Sequence, residues 1–301
     1  MTTVVEPVRT SSRSADARVG VMILTYNRRD EVTRTVERML ALTERPQIIV
    51  VDNRSTDGTR AALSQRFPEV RVLTMAGNLG TAARNAGVAA LDVPYVALCD
   101  DDTWWEPGSL RRAADLLDAY PRLAVLAGRV LVGPQNRLDP TCREMAASPI
   151  GGAGPLPGPS VVGFLAGAAM VRRSAFLEVG GFEPRFFIGG EEELLTLDLL
   201  SAGWELSYVD EVVVHHHPSE ASRDTARRRM TVTRNHLWVA WMRYPWPWAV
   251  RATARVALAA RADRAARAGL VAGLRGLPWA LGRRHVVPAE VRRRLRQVAT
   301  A

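Results

Sequence analysis

Three consecutive carboxylates, Asp100-Asp101-Asp102, follow the apolar run Tyr95–Leu98. Adjacent like charges repel unless a cation lies among them. On an extended segment side chains at i and i+2 point the same way. Asp100 and Asp102 are therefore expected to face one site and Asp101 to turn elsewhere. Oxygen ligands suit Mg²⁺ or Mn²⁺, and Mg²⁺ is usually held by one or two carboxylates plus substrate phosphates. His215-His216-His217 closes another apolar run and invites a metal reading, with His215 and His217 on one face and His216 on the other. Glu191-Glu192-Glu193 opens a helix, where the dipole favours acids whatever else they do. Trp104 and Trp105 can either stack on a sugar or pack beneath the acidic loop.

These residues need elements to position them. Val19–Thr25, Gln47–Val51, Val70–Thr74 and Tyr95–Leu98 read as strands. Between them lie helix-like stretches from Asp30 to about Leu42, Thr59–Arg66 and Thr81–Leu91. This alternation predicts a mostly parallel sheet with helices on both faces, whose ligands sit beyond the carboxyl ends of the strands. The polar clusters fall at those ends: Thr25-Tyr26-Asn27, Asp52-Asn53, Asn78 with Gly80, then Asp100–Asp102. Together they outline a nucleotide-sized site. A helix Gly108–Tyr120 and a strand Leu123–Val130 follow, and then regularity lapses from Gly133 to Ser160, a Pro- and Gly-rich loop suited to the substrate side. Order is expected to resume with a buried strand Val161–Arg172, a helix from about Glu191 to Ala202 and a strand Leu206–Val214.

The 301 residues carry 40 basic and 31 acidic groups, and every basic one is Arg. The excess is uneven: after residue 222 there are 18 Arg against Asp224, Asp263 and Glu290. That asymmetry suggests a polyanionic partner for this part of the chain alone. Five of the eight Trp lie there too, and Trp with Arg suits a bilayer interface. On a single helical wheel, however, Arg251, Arg255, Arg261, Arg264 and Arg267 form no stripe. A membrane surface and a second copy of the chain are the partners considered for it, and nucleic acid is set aside. Two cysteines exclude a disulfide scaffold and fit a reducing, cytoplasmic setting, with peripheral membrane attachment left open. Pro and Gly interrupt the longest uncharged stretch, so no transmembrane helix is expected. The domain organisation expected is a flexible tail over 1–18, an α/β domain over 19–220 and a helical extension over 221–301.

Val21-Met22-Ile23-Leu24-Thr25-Tyr26-Asn27-Arg28 resembles the opening strand of family 2 glycosyltransferases, and Val50–Thr59 their second block. Gly77–Gly87 is similar to the third block, the aspartate triplet to the metal-binding motif, and Val212–His217 to the closing strand with its histidine. The blocks occur in order over residues 19–219, and the chain looks closest to the rhamnosyltransferase-like bacterial group. The resemblance implies the GT-A fold and a metal-dependent, inverting transfer from a nucleotide-diphosphate sugar to a hydroxyl of a glycan, lipid-linked glycan or small molecule. It implies that Thr25, Tyr26 and Asn27 line the nucleoside pocket and that Asp52 meets the base. It places Asn78, Gly80, Arg84, Asp100 and Asp101 along the diphosphate and sugar. Asp102, Asp100 and His216 become the ligands of Mn²⁺ or Mg²⁺. The family's acidic block falls on Glu191–Glu193, but here it is all glutamate, followed by Leu194-Leu195. Counting back from Gly203 puts the general base on Glu192, with Glu191 the alternative. A metal-dependent nucleotidyltransferase would need a Gly-rich phosphate loop after strand one, and Thr25-Tyr26-Asn27-Arg28 has no glycine. A non-catalytic sugar-nucleotide or membrane-binding module would bind nucleotide and turn nothing over.

Overall fold

In the computed structural model, residues 16–152, 154–218 and 225–300 are described. The expected flexible N-terminus falls almost wholly outside them. Asp16 and Arg18, within them, are fixed, because Arg18 pairs with Asp16, Asp115 and Asp118.

Nine strands form one sheet: β1 Val19–Thr25, β2 Gln47–Asp52, β3 Arg71–Thr74, β4 Tyr95–Asp100, β5 Thr103–Trp105, β6 Leu123–Val132, β7 Arg137–Leu138, β8 Ala169–Arg172 and β9 Glu205–His216. Their order is β3-β2-β1-β4-β8-β6-β9-β5, with β7 added to β6. The first four neighbours are parallel, as the alternation predicted, and Val19 to Ile23 are buried throughout, so both faces of β1 are covered. Register sets Thr25 opposite Asp52 and Leu24 opposite Asp100, which brings the polar strand ends to one edge. β8 then runs antiparallel to both β4 and β6, and β5 antiparallel to β9, so the second half of the sheet is mixed.

Seven helices serve this sheet: α1 Arg29–Leu40, α2 Thr59–Arg66, α3 Arg84–Ala90, α4 Ser109–Ala119, α5 Pro140–Ala146, α6 Arg173–Glu178 and α7 Glu191–Ser201. Helix α3 lies so close that a Cβ on Gly87 would stand 2.2 Å from Met22 Cγ.

Two expectations fail here. The strand from Val161 shrinks to Ala169–Arg172, because Gly167 passes against the acidic turn, where a Cβ would lie 2.6 Å from Asp100 Oδ2. The Gly133–Ser160 stretch also contains β7 and α5. Asp139 accepts from Thr141 N at 2.8 Å and Pro140 takes the first helical position, a start signal legible in the sequence.

Five more helices follow: α8 Thr225–Arg243, α9 Trp246–Ala259, α10 Arg264–Arg275, α11 Leu277–Gly282 and α12 Ala289–Thr300. Gly269 and Gly273 let α10 press onto α8, since Cβ atoms there would lie 2.6 Å from Thr233 Cβ and 2.8 Å from Leu237 Cδ1. Several arginines of this segment are spent on the sheet domain. Arg294 donates to both carboxylate oxygens of Glu205, a pair 5% and 4% exposed, and Arg243 forks onto Asp198. Among the described residues no helix is long and apolar enough to cross a membrane.

Candidate active site

The strand-end polar residues are held by one another. Thr25 donates from Oγ1 to Asp101 Oδ2 at 3.0 Å, so its hydroxyl serves the acidic turn rather than lining an open pocket. Asn27, in the left-handed region at φ 52, accepts from Thr56 N at 2.7 Å and donates its own N–H to Ser55 Oγ. Tyr26 beside it is exposed. Asp52 is buried and accepts from Ser55 N at 2.9 Å. Asn53, which sequence reasoning left without a role, binds both ends of the next turn: it donates to Gly80 O at 2.9 Å and accepts from Leu79 N at 3.1 Å. Asn78 accepts from Gly80 N at 2.9 Å. Gly80 sits at φ 60, and a Cβ there would fall 1.9 Å from Phe187 O. The missing side chain thus makes room for the 186–190 loop, which Thr81 N grips through Phe187 O at 2.8 Å. Asn85 likewise bonds a neighbouring loop, at Phe182 N and O.

The aspartates do not alternate. Asp101 and Asp102 form a turn, so the i, i+2 rule of an extended strand does not apply and Asp100 and Asp102 part company. Arg28 bridges the two buried members, reaching Asp101 Oδ1 and Asp102 Oδ2 at 2.9 Å each. Asp100, the accessible one, pairs with buried Arg84. Burial pushes Asp101 up to about 7 against the pull of Arg28.

The histidines do alternate. His215 stacks on Trp104 at 5.5 Å and His217 meets the same ring edge-on at 4.6 Å, with the Arg38 guanidinium 3.5 Å from its centre. Trp104 and fully buried Trp105 therefore pack beneath the acidic turn. His216 faces inward, its Nε2 3.5 Å from Asp102 Oδ1.

Whether these residues suit a divalent ion can be read from that last contact. Metal–ligand bonds run about 2.0–2.2 Å, so an oxygen and a nitrogen 3.5 Å apart can share one ion. Among the described residues no third His, Cys, Asp or Glu joins them. The remaining positions would come from substrate oxygens and water, as is usual for Mg²⁺. The donor set fits.

Helix α7 brings the second acidic cluster. Gly189 and Gly190, at φ 82 and 87, turn the chain into its first residue. Glu191 is buried, with Oε2 unpartnered, and burial raises its pKa. Glu192 is pushed up to about 7, first by desolvation and then by the charge of Glu191. Glu193 is spoken for, accepting from Tyr244 Oη at 2.6 Å. Arg84 is where the two clusters meet. It is salt-bridged to Asp100, its field acts on Glu191 and Glu192, and its own Nε and Nη1 are buried without partners.

The frame is a GT-A-like α/β fold. The model of glycosyl transferase family 2 matches residues 20–180, more than half of the chain, and the chain belongs to that family. It is 32% identical over 273 residues to the N-acetylglucosaminyl-diphospho-decaprenol L-rhamnosyltransferase of Mycobacterium tuberculosis, covering 77% of this chain and 88% of that one. The teichuronic acid biosynthesis glycosyltransferase TuaG of Bacillus subtilis, itself a putative assignment, is 34% identical over 104 residues, 33% of this chain and 41% of its own. Among solved structures, the mannosyltransferase PcManGT of Pyrobaculum calidifontis, in complex with GDP-Man and Mn²⁺, superposes with a TM-score of 0.55 at 18% identity, over 94% of this chain and 75% of its own. S. aureus TarS 1–349 with UDP-GlcNAc gives 0.56 at 17%, over 73% and 65%. At those identities the structural matches show the fold.

Proposed function

We propose that the chain moves a deoxyhexose, L-rhamnose, from a nucleoside-diphosphate donor to a hydroxyl of a lipid-linked, diphosphate-bearing glycan, with inversion at the anomeric carbon. One observation carries the reaction type: Glu192, a half-buried carboxylate pushed up to about 7, lies in the field of buried Arg84, which pairs with the strand-end acid Asp100. A base with a pKa near the working pH combines availability with proton affinity. Glu192 takes the acceptor hydroxyl proton as its oxygen attacks, and no covalent enzyme intermediate is needed. Arg84 directs its unpartnered N–H groups toward the charge that gathers on the donor. Asp102 and His216 would hold Mn²⁺ or Mg²⁺, which as a Lewis acid supplies stabilisation of the departing diphosphate. The sugar and acceptor follow the mycobacterial relative, whose name joins rhamnose to such a lipid.

The test has two stages. Nucleoside diphosphates are screened by thermal shift with and without Mn²⁺, where a ligand at about 100 times its Kd adds roughly 2.7 kcal/mol to stability. The preferred base is then supplied as its rhamnose and glucose conjugates with a short polyprenyl-diphosphate N-acetylglucosamine acceptor, and the new linkage is read by NMR. Retained anomeric configuration refutes the mechanism, and transfer of glucose alone refutes the sugar. Nucleotide binding without turnover of any conjugate supports the non-catalytic module instead.

A further inference from the structure

The C-terminal helices show an outer surface that the sheet domain does not use. On α9, Trp246, Val250, Ala254 and Leu258 share one face, with Val250 54% and Leu258 62% exposed, while the opposite side carries buried Ala249 and Thr253, which accepts from Trp241 Nε1. Arg251 and Arg255 border that face. The wheel drawn from sequence missed it because residues 260–263 break the helix, so the later arginines follow a different axis. On α10 the buried stripe Ala265, Gly269 and Gly273 leaves Arg264, Arg267, Val271, Leu274 and Arg275 outward. Between α10 and α8 runs an open groove of about 450 Å³, with Met230, Val271 and Ala272 as floor and Arg264, Arg267 and Arg275 as rim. The guanidinium groups of Arg251, Arg255, Arg261, Arg264 and Arg275 make no hydrogen bond or ion pair with any described residue.

We propose that this face of α9 and α10 docks on a leaflet of acidic phospholipid, with headgroup phosphates on the arginine rim and the apolar stripe at the acyl boundary. Charge complementarity selects the occupant. A second copy of the chain joined through the same patch would set arginine against arginine, and the lone acid of residues 246–275, Asp263, is engaged as the cap of α10. Duplex nucleic acid would answer the arginines and leave exposed Leu258 and Val250 in water. An interfacial helix answers both, since apolar burial and anionic lipid act together. The proposal uses no residue of the transfer site and holds for any acceptor.

The full chain is sedimented with vesicles of phosphatidylcholine, alone or with about one-third phosphatidylglycerol. Binding is expected to the acidic vesicles alone and to fall steeply as salt rises from about 0.05 to 0.5 M. Arg264→Gln with Arg275→Gln should weaken it roughly 30-fold, from about fivefold for each basic residue near a charged leaflet. Val250→Ser with Leu258→Ser should weaken it independently, and circular dichroism should show all variants folded. Equal binding to neutral vesicles, no binding at low salt, or wild-type binding by both variants overturns the proposal. So does full displacement of the vesicles by duplex DNA. Transfer to a water-soluble acceptor is measured in parallel, so loss of docking with transfer intact leaves the assigned reaction standing.

Discussion

The molecule carries two acidic triplets, and they are held in opposite ways. Asp100–Asp102 is tied by two guanidiniums: Arg28 spans the buried pair and Arg84 takes the accessible member. Glu191–Glu193 has no guanidinium in contact among the described residues; Glu193 lies 3.7 Å from the His236 ring and accepts from the Tyr244 hydroxyl. The consequence is a division of labour. Arginine side chains organise the aspartate turn, whereas burial with no guanidinium in contact pushes Glu192 up to about 7. Asp101 marks the boundary between the regimes, since its burial outweighs even Arg28.

That contrast breaks most sharply at Glu192. Glu192→Gln should leave donor binding intact and lower transfer by roughly 10²–10⁴, the usual share of general base catalysis. Glu191→Gln should cost less, and a larger loss there would move the role one residue back. For transfer, kcat/KM, which reports the free enzyme, should rise with pH through about 7 as Glu192 sheds its proton. Stability should run the other way. A carboxylate whose folded pKa stands near 7, above its ordinary 4.5, binds more protons folded than unfolded between those values, so its ionisation lowers stability as pH climbs through that window. Glu192→Gln removes this slope and should therefore melt higher than wild type at pH about 8.

The next effect lies in the aspartate turn. Arg28→Gln strips the shared cation from two buried carboxylates and should cost about 3–5 kcal/mol in urea unfolding, the range for breaking a buried pair from one side. A loss below about 1 kcal/mol would show the turn held by Thr25 and backbone instead. Asp102→Ala should abolish the Mn²⁺-dependent part of nucleotide-induced stabilisation while Arg28 still pairs with Asp101, and undiminished metal dependence would remove Asp102 from the ligand set. The smallest change is Tyr244→Phe, which deletes one hydrogen bond to Glu193 and should lower stability by about 1 kcal/mol, read by thermal unfolding.

Much of the frame was legible because local signals agreed with it. β1 and α2 occupy the residues read for them, Val19–Thr25 and Thr59–Arg66, since an apolar β-branched run and a post-glycine helix start need no tertiary help. The order of polar strand ends was legible for the same reason. What sequence could not supply was direction. Whether Asp101 points with or against its neighbours depends on a turn that starts at Asp101, inside the segment the alternation took as extended. The resemblance placed Gly80 along the diphosphate and sugar, but the backbone its missing side chain admits comes from residue 187, more than a hundred positions away. The basic C-terminus was misleading in bulk: net charge counts Arg234, Arg243 and Arg294 alongside Arg264 and Arg275, although the first three are engaged by Phe186 O, Asp198 and Glu205.

Asn235, fully buried on α8, lies within reach of three carbonyls of the loop that turns into Glu191: Phe186 O at 2.9 Å, Ile188 O at 3.1 Å and Gly189 O at 2.5 Å. Glu205, at the start of β9, pairs with Arg294, 89 residues later. During synthesis the chain leaves the ribosome from its N-terminus, so the first four strands of the sheet can assemble long before either partner exists. The loop before Glu191 gains these three hydrogen bonds only when α8 has been made, and the Glu205–Arg294 pair only when α12 has, so in the order of synthesis both ties come well after the strands they brace.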